Sequence, residues 1–229
     1  MTVNSDMRSV ITVVFLYLCF AFSSACRLDD TAGTRETQTE SYSSGIREDP
    51  KLVEIESDAI RKILENAHEQ TKLTTGYTQD YYSISYPNGD VPIETGACTD
   101  VIIRAFRNAG VDLQKQVHED MAGNFGSYPK KWGMTKTDTN IDHRRVPNLK
   151  TYFERRGTAR PVTTDTNDYE PGDVVSWDLD GNGITHIGIV SNLWNDRTKR
   201  YLIIHNIGRG TRAEDRLFEW GVTGHFRFF

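Results

Sequence analysis

Cysteine is scarce in this chain of 229 residues: there are three, and beyond residue 26 only Cys98 remains. A lone thiol has no intramolecular partner, so the body of the protein has no disulfide framework and must fold on its apolar core. Positive charge is short as well. The net charge is -5, and no basic stripe interleaved with aromatics is present, which removes the electrostatic footprint of a DNA or RNA binder. Long apolar runs are missing too: Val10 to Phe22, 13 residues, is too short for a comfortable membrane span. What is present, 37% hydrophobic residues, suffices for one good core, and the length favours a single domain.

The short apolar run follows Arg8 and ends in Ser23-Ser24-Ala25-Cys26, which reads as an export signal over residues 1–26. Small residues before a cysteine resemble a bacterial lipoprotein cleavage box, although Ser23 stands where that motif usually has Leu. The expectation is lipidation of Cys26, with plain secretion and a retained anchor as alternatives. Residues 27–50 are almost all polar, without periodicity, and read as a flexible tether. The address is then the cell envelope, with membrane contact through the N-terminal lipid alone.

The folded domain is expected over 51–229. Leu52, Ile55, Ile60, Ile63, Leu64 and Ala67 give a helical pattern from about Lys51 to Gln70. Cys98, Val101, Ile102, Ala105, Phe106 and Ala109 repeat at i, i+3, i+4, i+7 and i+8, Asp100 sits in the first turn, and Gly110 is the stop. A thiol at the start of a helix meets unpaired N–H groups and the positive end of the dipole, which lower its pKa and suit a nucleophile. Free cysteines are also commonly buried as small hydrophobes, so position alone leaves both readings open. Between Thr71 and Thr95, tyrosines and turn formers including Gly76-Tyr77 and Tyr81-Tyr82 suggest a cleft wall or simple edge packing.

Asp142-His143-Arg144-Arg145 is a dense polar cluster that suits either a clamp on substrate carboxylates or an ion-pair network with Asp138 or Asp142. A short helix, Asn148 to Arg156, closes at Gly157. Thereafter the period changes: Asp173 to Trp177, His186 to Val190, Tyr201 to His205 and His225 to Phe229 read as strands. A helical half followed by a small antiparallel sheet makes the class α+β. Asp178 to Gly183 imitates an EF-hand start, but Ile189 stands at the twelfth position, so the stretch reads as a hairpin turn. His186 opens one strand and His205 closes the next, so antiparallel pairing can bring both to one end of the sheet, where thiol, imidazole and a second polar group make a cysteine-hydrolase set.

Gly172-Asp173-Val174-Val175-Ser176-Trp177, Thr185-His186-Ile187-Gly188-Ile189-Val190 and Ile203-Ile204-His205 resemble the three sheet motifs of the NlpC-like cell-wall cysteine peptidases, a branch of the papain-like superfamily. Gly96-Ala97-Cys98-Thr99-Asp100 resembles their nucleophile element. Asn88 to Pro92, Val117 to Met121, Asn140 to Leu149 and His205-Asn206-Ile207-Gly208 resemble, more narrowly, a family of bacterial envelope proteins placed beside those peptidases. The resemblance implies a papain-like, NlpC-like fold in which Cys98 is the nucleophile, His186 the base and then the acid, and His205 the orienter. It places Tyr86 on the substrate side; between Gly110 and Tyr169 the chain departs from the peptidase pattern, and His118, Asp120, His143, Arg144 and Arg145 of that segment are expected, with Asp100, to line or cap the cleft on the substrate side. The implied substrate is a peptidoglycan stem peptide cut at an amide, with no cofactor, no metal and a monomeric chain.

Three other readings stay open. The fold can serve a lipoprotein module that binds wall fragments without cutting them. A thiol acyltransferase of the same superfamily would use the same residues. Zinc on Cys98, His186 and His205 is chemically suited but lacks close ligand spacing.

Overall fold

A computed structural model describes residues 49–229. The export signal, the Cys26 lipidation site and nearly all of the 27–50 tether lie outside the described residues. No helix among those described is long and apolar enough to cross a membrane.

The class is α+β, with four helices and a seven-stranded antiparallel sheet among the described residues. In chain order these are β1 (Lys51–Leu52), α1 (Asp58–Leu73), α2 (Cys98–Asn108), α3 (Leu113–Gly123), α4 (Val146–Arg155) and β2 (Ala159–Arg160). There follow β3 (Val174–Asp178), β4 (Thr185–Asn195), β5 (Arg200–Asn206), β6 (Thr211–Glu214) and β7 (Gly221–Phe226). The sheet order is β2-β7-β3-β4-β5-β6, with β1 paired on the far end of β4.

The first helix starts later than the apolar pattern suggests. Lys51 and Leu52 pair with Trp194 and Leu193 of β4, and Ser57 then caps α1 by accepting from the Ile60 N–H. The final strand also ends early, at Phe226. Phe228 and Phe229 instead pack their rings 5.4 and 5.9 Å from Phe106.

Strand alternation sorts the sheet into two faces. Val174, Ile187, Ile189, Ile204 and Phe226 share one core with Ile63 and Leu64 of α1, Val101, Ile102 and Phe106 of α2, and Leu149 and Phe153 of α4. Val175, Trp177, Val190 and Ile203 face the other way and pack with Tyr169 and Leu217. Gly188 lets neighbouring β5 approach: a Cβ there would sit 2.7 Å from Ile203 Cγ2 and 3.1 Å from His205 Cβ.

Every residue of α2 from Cys98 to Phe106 is buried, polar ones included. The polar side is satisfied by other segments. Arg144 clamps Asp100 from the 3-10 turn Asp142–Arg144, through Nε at 2.9 Å and Nη2 at 3.0 Å. Arg104 donates to Asp90, to the Thr74 hydroxyl and to the carbonyls of Val91, Pro92 and Thr95. These bonds fix the loop that leads into Cys98.

Candidate active site

Cys98 is the first residue of α2, after Ala97, whose N–H donates to Asp100 Oδ2 at 2.6 Å. The N–H groups of Ile187, Thr99 and Cys98 itself act on its sulfur and lower the thiol's pKa. The β4–β5 ladder is registered from Ile189↔Ile204 inward, so the sulfur sits at the open end of that strand pair. Thr185, the residue before His186, lines the same cavity as Cys98, and the N–H of Ile187, the residue after it, lowers the thiol's pKa; His186 and His205 are not among the lining residues.

His186 Nε2 lies 2.7 Å from His205 Nδ1, and both rings are buried. Trp177, opposite His186 in the ladder, and Trp220 flank them, the ring of Trp220 standing 5.8 Å from His186 and 6.0 Å from His205. Asn206, next along β5, donates to the carbonyls of Gly96 at 3.0 Å and Gly76 at 2.9 Å. One amide thus ties the histidine strand to the loops carrying Cys98 and Tyr77.

The cavity over Cys98 has a volume of about 360 Å³; its lining includes Tyr77, Tyr81, Trp132, Arg144 and Arg145. Arg145 stacks on Trp132, with its guanidinium 4.5 Å from the ring centre. Its Nη1 is buried without a hydrogen-bond partner. Burial raises the pKa of Tyr77, and Cys98 adds to the rise, so its hydroxyl stays a donor.

The expectation of a depressed thiol pKa is corrected. Burial pushes Cys98 up to about 12, Asp100 adds to the rise, and the three N–H groups only partly oppose it. The helix start does supply donors, but the thiol of a residue only 6% exposed loses more in hydration than they return. Burial likewise pushes His186 down to about 3, helped by His205. At neutral pH the resting pair is thiol and neutral imidazole.

Other expected residues lie apart from the cavity. The structure does not bring Tyr86 to Cys98; its ring stands edge-on, 5.4 Å from His118, and Tyr77 lines the cavity instead. His118 Nδ1 is 3.2 Å from Asp142 Oδ2. Asp120 is held by Arg155 Nε at 2.6 Å and by the Tyr128 hydroxyl. His143 is buried, and burial pushes it down to about 3. Asp100 is consumed by Arg144, so that arginine's partner is neither Asp138 nor Asp142. Asp178 serves as a turn acceptor for the Gly181 and Gly183 N–H groups.

Sequence reasoning passed over Tyr77 as one tyrosine among several, and over Trp132 and Asn206. It also missed Glu214, whose Oε2 lies 3.1 Å from His205 Nε2. The one usable signal was Gly76-Tyr77 as a cleft wall. Among the described residues, no cluster of three or more His, Cys, Asp or Glu side chains is arranged to hold a metal ion.

The buried imidazoles make stability depend on pH. His143 and His186 are neutral in the fold but titrate near 6.5 when unfolded, so their contribution is intact above that pH and drains away toward pH 3. At pH 5 the two together cost up to about 4 kcal/mol. Thermal unfolding at pH 5 is expected about 8–16 °C below that at pH 7.5, and His143→Leu should remove roughly half of the difference.

Residues 64–228 match the family model described as Domain of unknown function (DUF1287). A relative from Escherichia coli (strain K12), described as Uncharacterized protein YijF, is 50% identical over 180 residues, spanning 79% of this chain and 87% of that protein. Two crystal structures of an N-acetylmuramoyl-L-alanine amidase from Bacteroides uniformis ATCC 8492 are similar at 11% identity. They cover 74% and 76% of this chain and 99% and 100% of theirs, with TM-scores of 0.47 and 0.48. Likeness that distant says nothing of activity. The family match, in contrast, takes in the Cys98 helix and every strand from β2 to β7, site included, and by it the chain belongs to the DUF1287 family.

Proposed function

We propose that this protein is a cysteine hydrolase of the cell envelope that cuts an amide bond in peptidoglycan stem peptides, on an NlpC-like, papain-like fold. The observation that carries the reading is the 2.7 Å contact between His186 Nε2 and His205 Nδ1. In this reading the other nitrogen, His186 Nδ1, serves the thiol of Cys98, whose pKa is lowered by the N–H of Ile187, the residue after His186. Core packing alone gives no reason to bury two bonded imidazoles next to Thr185, a residue that lines the cavity of the thiol.

The resting thiol gives up its proton to His186 as the sulfur attacks the substrate carbonyl carbon. The C–S bond forms, and the carbonyl π electrons move to oxygen, which in this reading accepts from the Cys98 N–H and from the hydroxyl of Tyr77, a residue lining the same cavity. Collapse breaks the C–N bond, His186 returns its proton to the leaving amine, and a thioester remains. Water, deprotonated by His186, then hydrolyses it. His205 holds the ring of His186 by the Nε2 contact.

Arg145 supports a substrate rich in carboxylates: it lines the cavity, is stacked on Trp132, and pairs with no acid among the described residues. Arg145→Ala is expected to raise KM by about 10–100-fold, the worth of one hydrogen bond to a charged group, with little change in kcat. Residues 1–50 fit this role as an export signal, a lipidated Cys26 and a tether that hold a monomeric enzyme at the wall. The test is digestion of purified wall fragments followed by mass spectrometry. Wild type should create new amine and carboxylate ends that Cys98→Ala does not.

One observation favours a second reading. A thiol pushed up to about 12 is inert at rest, as it would be in a module that binds wall fragments without cutting them. Tight binding of intact fragments with no new ends in the digest would decide for the binder.

A further inference from the structure

Proton order in a chain of imidazoles is ambiguous unless something at one end fixes it, because each neutral ring carries one donor and one acceptor nitrogen. Here one end is fixed. Ile203 pairs with Glu214 and His205 with Arg212 across β5 and β6, so Glu214 and His205 are diagonal neighbours on one face, within reach of a long side chain. Glu214 Oε2 lies 3.1 Å from His205 Nε2, and the carboxylate is partly hydrated, 21% exposed, on the outermost strand of the sheet.

A carboxylate can only accept. His205 must therefore carry its proton on Nε2, which leaves Nδ1 bare. Bare Nδ1 accepts from His186, which must then be protonated on Nε2. His186 Nδ1 is left with a free lone pair, the form a base facing a thiol requires. The segment after β6 reinforces the arrangement: Arg216 Nη2 lies 3.8 Å from Glu214 Oε1, its guanidinium stands over Trp220, and that ring flanks both histidines.

We propose that Glu214 is a positioning residue which, through His205, sets the tautomer of His186 and so makes it a base toward Cys98. The proposal rests on the hydrolase reading for its consequence in turnover, but its structural half does not. Burial holds both rings neutral, so without Glu214 nothing named here chooses between the two proton orders.

The test uses wild type, Glu214→Gln and Glu214→Lys, with ring-nitrogen NMR of histidine-labelled protein and steady-state kinetics on wall fragments. Wild type should show His186 and His205 both protonated on Nε2. Gln keeps an acceptor carbonyl and should retain that pattern with near wild-type kcat. Lys only donates, so the order should reverse and kcat fall by about 10–100-fold or more, as for other outer partners of functional histidines, with KM unchanged. Should Lys fail to fold, Glu214→Leu serves, with a mixture of tautomers expected. Unchanged tautomers in Glu214→Lys or Glu214→Leu would overturn the proposal whatever the kinetics. Reversed tautomers in a protein whose wild type cuts nothing would leave the role of Glu214 standing and remove the hydrolase reading.

Discussion

His186→Ala is expected to slow amide hydrolysis by about 10³-fold or more, seen in kcat with KM little changed. The size follows from the thiol. With Cys98 pushed up to about 12, the ionised fraction at pH 7 is on the order of 10⁻⁵, so attack depends on a base that takes the proton during the reaction. Without His186 the only route is prior ionisation. The residual rate of the variant should then climb about tenfold per pH unit through the alkaline range, whereas the wild-type profile should not. A residual rate in His186→Ala that is flat in pH would mean that His186 is not the base.

Arg144→Leu is expected to destabilise the domain by about 3–5 kcal/mol, the cost of leaving one partner of a buried ion pair alone. Asp100 and Arg144 have side chains 3% and 2% exposed, joined by two hydrogen bonds. The same carboxylate accepts from Ala97 N–H at the start of α2, and Arg144 Nη1 donates to the Asp80 carbonyl. Removing the guanidinium strands a charge one turn from the nucleophile and frees the loop that carries Tyr77 and Tyr81. Chemical denaturation should show the loss. The double variant Asp100→Asn with Arg144→Leu should recover part of it, because no buried charge then remains unpaired.

Much of this was legible in the order of residues, for physical reasons that differ by element. The Cys98 helix announced itself because its apolar face repeats at helical spacing, and β3 to β5 because β-branched runs are bounded by turns. His186 and His205 could be placed at one sheet end because antiparallel pairing of adjacent strands leaves little choice. The burial of the polar side of α2 was not legible. It depends on Asp90, Arg144 and Thr74, which arrive from other segments.

The thiol's titration was misjudged for the same reason, since a helix start is local but the loss of hydration is tertiary. Tyr86 looked right by interval, yet distance along a loop does not fix where a side chain ends. Glu214 gave no signal, and Asn206 none beyond its place in His205-Asn206-Ile207-Gly208, because a polar residue on a strand near a turn is ordinary until its partner is known.

The central claim is that the sulfur of Cys98 becomes covalently acylated by a wall peptide. The most direct measurement is mass spectrometry of the protein quenched in acid during turnover of purified wall fragments. The account predicts an acyl adduct on the peptide containing Cys98, released by hydroxylamine, strengthened where water attack is slowed, and missing in Cys98→Ala together with hydrolysis. Hydrolysis that persists in Cys98→Ala, with no adduct on the wild-type thiol at any time, would contradict it.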